Sequence, residues 1–312
     1  MSGAPLTRGV SRRATLLERR LAEAACVGVM VLWAANFVVV KTTIPVLTPV
    51  GYAFLRFALA GIVLLAVCRW REGSIGIPRR DIVPLAGLGL IGFGIYQTLW
   101  STALNSTSVG NSALLIGSTP VFTALVASLL GVDRLDRVKV LGVAVAFGGV
   151  AIVAASHGLT FGSSAVGDLL TVAAAVAWAF YVTIGAGVLR RFSALRATAW
   201  TVTFGALFLA PIGLWQLAGI DPALVGPVQI GAIAYSGLLS SALGNVVVFW
   251  GISLLGPTRI TNLQFLPPAL AIVLAAVFLG DPILAGQVVG GLVIVAGVVI
   301  ARRSRAPRPT AR

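Results

Sequence analysis

The sequence predicts an all-α integral membrane protein of ten transmembrane helices, arranged as two inverted five-helix repeats with both termini in the cytoplasm. Three observations predict it. The chain has 312 residues, 58% apolar and 10% charged, against about 45–50% and about 25% in soluble proteins. At about 20 residues per span, ten spans take up almost all of the apolar residues, leaving no room for an attached soluble domain. The second observation is a one-sided distribution of basic residues, and the third is an internal repeat.

The spans follow in order. The first, 24–41, starts after Arg19 and Arg20 and ends before Pro45 and Pro49, which interrupt helices by clash and by a missing N–H. The second, 48–69, runs into a basic loop at 69–81, and 82–104 and 107–131 follow. The charged stretch from Asp133 to Lys139 leads into 138–155. After 166–189 come Arg190 to Arg196, then 197–219, then Asp221 and Pro222, then 228–255. GlyProThrArg at 256–259 and GlyAspPro at 280–282 punctuate the last spans, 258–280 and 283–301.

With these spans, 21 of the 23 Lys and Arg residues fall in the two tails and the even-numbered loops. Basic loops are retained on the cytoplasmic side, so both termini are expected there. The net charge of +14 is therefore a topology signal. It forms no continuous basic face of the kind nucleic acid needs, and nucleic acid is excluded as a partner. Cys26 and Cys68 come out on that same side and are expected as reduced thiols. No apolar signal segment precedes Cys26, so the first helix is expected to be retained.

The repeat has an offset of about 148 residues: ThrProValPhe at 119–122 returns as ProProAlaLeu at 267–270, LeuLeuGly at 129–131, one residue further on, as PheLeuGly at 278–280, and Gly149 as Gly297. Nearer the start the offset shortens to 145, mapping Trp33, Ala34 and Asn36 onto Trp178, Ala179 and Tyr181. The organisation expected is a basic tail (1–23), a first five-helix unit (24–155), an extracytoplasmic linker (156–165), a second unit (166–301) and a basic tail (302–312). An odd number of spans per unit inverts the second copy, and inverted repeats place a site at the midplane and allow alternating access. Helix breakers at matching places point to that site, and Pro120 and Pro268 are such a pair.

These features together, with TrpAlaAlaAsnPhe at 33–37, Arg56 within PheLeuArgPheAlaLeuAla at 54–60 and the Pro-to-LeuLeuGly segment with its Gly-rich following helix, resemble EamA-type members of the drug/metabolite transporter superfamily. The resemblance extends over 24–301. It implies a bacterial inner-membrane carrier of small metabolites, commonly an exporter of amino acids or related compounds, with a central cavity lined by helices 1, 3, 4, 6, 8 and 9. One departure is that Thr201 or Thr203 stands in the second copy where the first has Arg56.

Arg56 is the strongest single candidate. Eight residues into a helix it lies about 12 Å deep at 1.5 Å per residue, and an arginine there costs about 2.5–3.5 kcal/mol on insertion scales. It needs either backbone carbonyls, as a structural clamp, or an anionic substrate. Trp33 with Asn36, Tyr96 with Trp100, and Trp178 with Tyr181 are i, i+3 or i, i+4 pairs that share helix faces. Asn245, Asn262 and Gln264 are amides that lipid penalises, so they belong in a cavity or between helices. Lys41 reads as an interfacial anchor and Trp70 and Trp215 as belt residues.

No cofactor and no metal site is expected: the single histidine, His157, lies in an outer loop and the cysteines lack companion ligands. Glu23 and Asp168 sit near helix ends, so no buried carboxylate is expected as a proton carrier. Gly286 with Gly290, and Gly142 with Ala146, are small-residue pairs for close packing within the chain or across a homodimer. The partners expected are the bilayer and a small-molecule substrate. The competing readings are a multidrug or lipophilic-cation exporter, favoured by the tryptophans, and a non-transporting scaffold or intramembrane enzyme, for which no catalytic cluster exists.

Overall fold

The computed structural model describes residues 15–133, 136–156, 163–189, 191–255, 260 and 263–303. Arg190, Arg259 and His157 lie outside the described residues, as does the candidate Asn262. The first five helices are α1 (Leu16–Leu47), α2 (Pro49–Glu72), α3 (Arg79–Ala103), α4 (Val109–Leu129) and α5 (Arg137–Ala155). The second five are α6 (Ser163–Leu189), α7 (Ala194–Ala218), α8 (Pro227–Ala234, Tyr235–Leu243 and Gly244–Leu255 in succession), α9 (Leu266–Leu279) and α10 (Ala285–Arg302). Among the described residues nine helices are long and apolar enough to cross a membrane, and α9, with 14 residues, is shorter. The chain is an all-helical multi-pass membrane protein.

Two boundaries differ from the sequence expectation for local reasons. α1 starts at Leu16 because Thr15 and Glu18 form a capping box: Glu18 N donates to Thr15 Oγ1 at 3.2 Å and Thr15 N to Glu18 Oε2 at 2.8 Å. It also runs through Pro45 to Leu47, because a proline in the last turn removes only one bond before the helix ends. The reversal is made by Thr48 at φ 60° and ψ 155° with Pro49 opening α2.

The two halves repeat each other's irregularities. α3 carries π-helical turns at Leu90–Ile95 and α8 at Tyr235–Leu243, starting 145 residues apart. α4 and α9 both end on a left-handed glycine, Gly131 at φ 68° and Gly280 at φ 70°. The contacts repeat too: α1 packs on α8 and α9 as α6 packs on α3 and α4, while α2 lies along α7 and α5 along α10.

The α5–α10 contact shows why glycines recur there. A Cβ at Gly142 would lie 2.6 Å from Gly297 O, and one at Gly149 would lie 2.7 Å from Gly290 O. These two contacts exchange under the 148-residue offset. The small-residue face of α10 is thus filled by α5 of the same chain, and backbones approach this closely only where side chains are absent.

Candidate functional site

A cavity of about 540 Å³ lies between the halves, within the about 300–1,000 Å³ usual for small-molecule sites. Its wall draws on α1, α3, α4, α6, α8 and α9 as the resemblance implied, and also on α2 through Arg56 and Phe57 and on α10 through Val298, Ala301 and Arg302. Arg302 is exposed at the end of α10, so the cavity reaches the surface on that side.

The broken helices frame it. α4 breaks at Ser118, where Pro120 removes the N–H that would bond Ile116 O, and Thr119 Oγ1 satisfies that carbonyl instead at 2.6 Å. Pro268 stands at the start of α9, and a Cβ at Gly117 would lie 3.2 Å from its ring. Pro120 and Pro268 both line the cavity. The π turns have a comparable effect in α8: they turn Ser240 O toward α1, where Trp33 Nε1 donates to it at 2.9 Å.

Arg56 is 2% exposed and lines the cavity. Nη2 donates to Gln97 Oε1 at 2.5 Å, and Nε has no partner. Its guanidinium carbon lies 4.5 Å from the Phe57 ring centroid, 5.5 Å from that of Trp100 and 5.7 Å from that of Tyr52. The clamp reading calls for backbone carbonyls, whereas the guanidinium is held by a side-chain amide and three ring faces. Trp100 Nε1 is also buried without a partner.

A buried hydroxyl chain leads away from the cavity wall at Asn36. Tyr52 Oη lies 2.5 Å from Ser236 Oγ, and Ser236 Oγ donates to Asn36 Oδ1 at 2.5 Å. The aromatic wall is continuous: Tyr96 stacks on Trp100 at 6.4 Å with planes 7° apart, and Trp178 sits 5.0 Å from Tyr96. Asn245 lines the cavity with Nδ2 donating to Ser241 O at 2.6 Å, and Gln264 lines it near the mouth.

Ten of the twelve sequence candidates therefore meet at one cavity: Trp33, Asn36, Arg56, Tyr96, Trp100, Trp178, Asn245, Gln264, Pro120 and Pro268. Tyr181 does not. It is buried behind the wall, against Gly92 and 5.6 Å from the Phe93 ring, because the glycine in the π turn of α3 opens a slot that its ring fills.

Two more expectations are corrected. Lys41 is no interfacial anchor: Nζ donates to Leu104 O and, at 2.9 Å, to Thr107 O, capping the carbonyl end of α3. No buried carboxylate was expected, yet Asp168, near the start of α6, is 5% exposed, accepting from Thr107 Oγ1 at 2.5 Å and Asn111 Nδ2 at 3.1 Å. Gln287 Nε2 extends this polar cluster to Asn111 Oδ1 at 2.9 Å.

Sequence reasoning missed Gln97 and Phe93 and counted Arg302 as tail. Gln97 was detectable, since the lipid penalty that singles out Asn245 applies equally to an amide between Tyr96 and Trp100. Phe93 carries no polar signal, and only the α3 geometry brings it to the wall.

The chain matches the EamA-like transporter family over residues 20–155 and again over 165–303. It is 30% identical to a probable terminal-alkyne amino-acid exporter of Streptantibioticus cattleyicolor, covering 89% of this chain and 92% of that one. It is 29% identical to a probable amino-acid metabolite efflux pump of Salmonella typhimurium, covering 87% and 91%. An uncharacterized transporter of Archaeoglobus fulgidus is 28% identical, over 87% of this chain and 93% of its own. A crystal structure at 20% identity superposes with a TM-score of 0.63, covering 90% of this chain and 95% of that one, and shows the same fold. Two matched units, transporters as relatives and a cavity between broken helices lead to one conclusion: the chain belongs to the EamA-like transporter family and is a membrane transporter.

Proposed function

We propose that the protein exports amino acids or related small carboxylate-bearing metabolites across the bacterial inner membrane, by alternating access at the cavity between its two halves. The observation that carries this reading is Arg56: a cation 2% exposed, on the cavity wall, with Nε unpartnered and one side-chain hydrogen bond. A buried charge left so incompletely satisfied is costly, and a substrate carboxylate would complete it through charge-assisted hydrogen bonds. The names of the Streptantibioticus and Salmonella relatives, a probable terminal-alkyne amino-acid exporter and a probable amino-acid metabolite efflux pump, agree with that chemistry.

The substrate would bind through Arg56 at the deep end, with the rings of Trp33, Tyr96, Trp100 and Trp178 beside its apolar part and Asn36, Asn245 and Gln264 around its polar groups. Pro120 and Pro268 would serve as the breaks about which α4 and α9 rearrange. With the basic loops and tails facing the cytoplasm, the cavity opens inward in this state and the Lys41 and Asp168 clusters hold the outer end closed.

Proteoliposomes loaded with a panel of labelled amino acids and derived carboxylates test the reading. Flux of at least one carboxylate is expected, lost in Arg56→Ala while that variant still elutes as a single monodisperse peak. Flux of lipophilic cations alone would instead favour a drug exporter. A reporter fused after Arg312 should read out on the cytoplasmic side; a periplasmic readout would reverse the opening direction.

A further inference from the structure

We infer that the cavity selects ligands of net negative charge, so that an α-amino compound is taken with its amine neutralised, as in an N-acyl amino acid, ahead of the free zwitterion. This deepens the reading above and rests on the cavity being the transport site.

The charge inventory points there first. All nine side-chain carboxylates of the chain fall on described residues, and none lines the cavity. Several are engaged elsewhere: Glu72 and Asp81 with Arg196 and Arg191, Asp133 with Lys139, and Asp168 with Thr107 and Asn111. The charged residues on the described wall are Arg56 at depth and Arg302 at the mouth. A zwitterion cancels neither positive charge in net terms, whereas a monoanion cancels one, at Arg56, where charge is most costly.

The hydrogen-bond inventory points the same way. An ammonium needs acceptors, and four acceptors on the wall around Arg56 and Trp33 already take a protein donor. Ser240 O takes Trp33, Ser241 O takes Asn245, Asn36 Oδ1 takes Ser236, and Gln97 Oε1 takes Arg56. The fully buried side-chain atoms of the described wall that lack a partner are both donors, Arg56 Nε and Trp100 Nε1, and the guanidinium lies 5.5 Å from the Trp100 ring. A carboxylate matches donors of this kind, while an ammonium beside a guanidinium adds like-charge repulsion. The aromatic wall then suits an apolar body in place of a second charge.

The experiment is a thermal-shift titration of the purified full-length protein with three charge forms of two skeletons. The ligands are phenylalanine, N-acetylphenylalanine and phenethylamine, with leucine, N-acetylleucine and isoamylamine beside them. The N-acetyl acids are expected to stabilise at concentrations at least about tenfold lower than the free amino acids, the equivalent of one hydrogen bond or charge contact. That advantage should vanish in Arg56→Gln and shrink in Trp100→Phe, which keeps the ring, removes the donor and remains informative if Arg56→Gln does not fold. Free amino acids binding as well as or better than the N-acetyl acids would overturn the inference and leave the amino-acid export reading standing. An N-acetyl response unchanged in both variants would overturn it as well. Stabilisation by the amines alone, or by none of the six, would overturn both.

Discussion

Arg56 on α2 donates from Nη2 to Gln97 Oε1 on α3 at 2.5 Å, and this one bond orients the only deeply buried cation on the described cavity wall. Its counterparts at an offset of 145 are Thr201 and Ala242, so the pair exists in one half only. A symmetric scaffold thus carries an asymmetric site.

Gln97 should separate stability from binding. Gln97→Leu leaves the guanidinium without its partner and is expected to destabilise by about 1.5–3 kcal/mol, the range for hydrogen bonds to charged groups. Gln97→Glu supplies an internal carboxylate and should stay at least as stable as wild type while losing carboxylate binding by about tenfold or more. Thermal unfolding with and without ligand checks both. A Gln97→Glu protein that binds carboxylates normally would argue against Arg56 as the anion site.

Transport should respond to voltage. If a monoanion crosses on a carrier with no carboxylate on its cavity wall, an inside-negative potential drives its efflux, by about 2.3 kcal/mol per 100 mV and unit charge. Efflux from liposomes clamped inside-negative with potassium and valinomycin should be faster than at zero potential. Efflux that follows an imposed pH gradient and ignores voltage would contradict this.

Gly142 on α5 touches the α10 backbone, with its Cβ position 2.6 Å from Gly297 O. Gly142→Leu must push the two helices apart, so a loss of several kcal/mol, about the upper range for overpacking, is expected. The protein should then extract as aggregate on size-exclusion chromatography. Gly148, with nothing within 4 Å of its Cβ position, is the control: Gly148→Ala should leave the profile unchanged.

Thr48 carries φ 60° and ψ 155° between α1 and α2, a region held almost entirely by glycine, where other residues are strained by about 1–3 kcal/mol. Thr48→Gly is expected to raise the unfolding temperature with transport unchanged. A fall would mean that the bond from Thr48 Oγ1 to Leu47 O, at 2.5 Å, outweighs the strain.

Much of the fold was written in local pattern. Apolar runs of membrane length, prolines at loop edges and a repeat offset of 148 or 145 residues need no tertiary information, because lipid forces each run to satisfy its own backbone as a helix. Boundaries set by side-chain caps were harder: the Thr15–Glu18 box extends α1 back to Leu16 through a polar stretch that hydropathy discounts.

The candidate site divides along the same line. Residue chemistry was enough to single out Arg56, the tryptophans and the amides, since each is expensive in lipid and must face something other than lipid. What those residues face depends on packing between distant helices. Tyr181 looked equivalent to Asn36 by repeat, yet the slot beside Gly92 draws its ring behind the wall. Lys41 looked like an anchor, yet the carbonyl end of α3 lies beside it. The amino-acid sequence alone establishes the ten helices, the duplication and the set of residues too polar for lipid, because these follow from the solvent each segment must meet. Tertiary structure alone decides that Gln97 orients Arg56, that Trp100 keeps a free donor and that every carboxylate is held away from the cavity, because those depend on which helices the chain brings together.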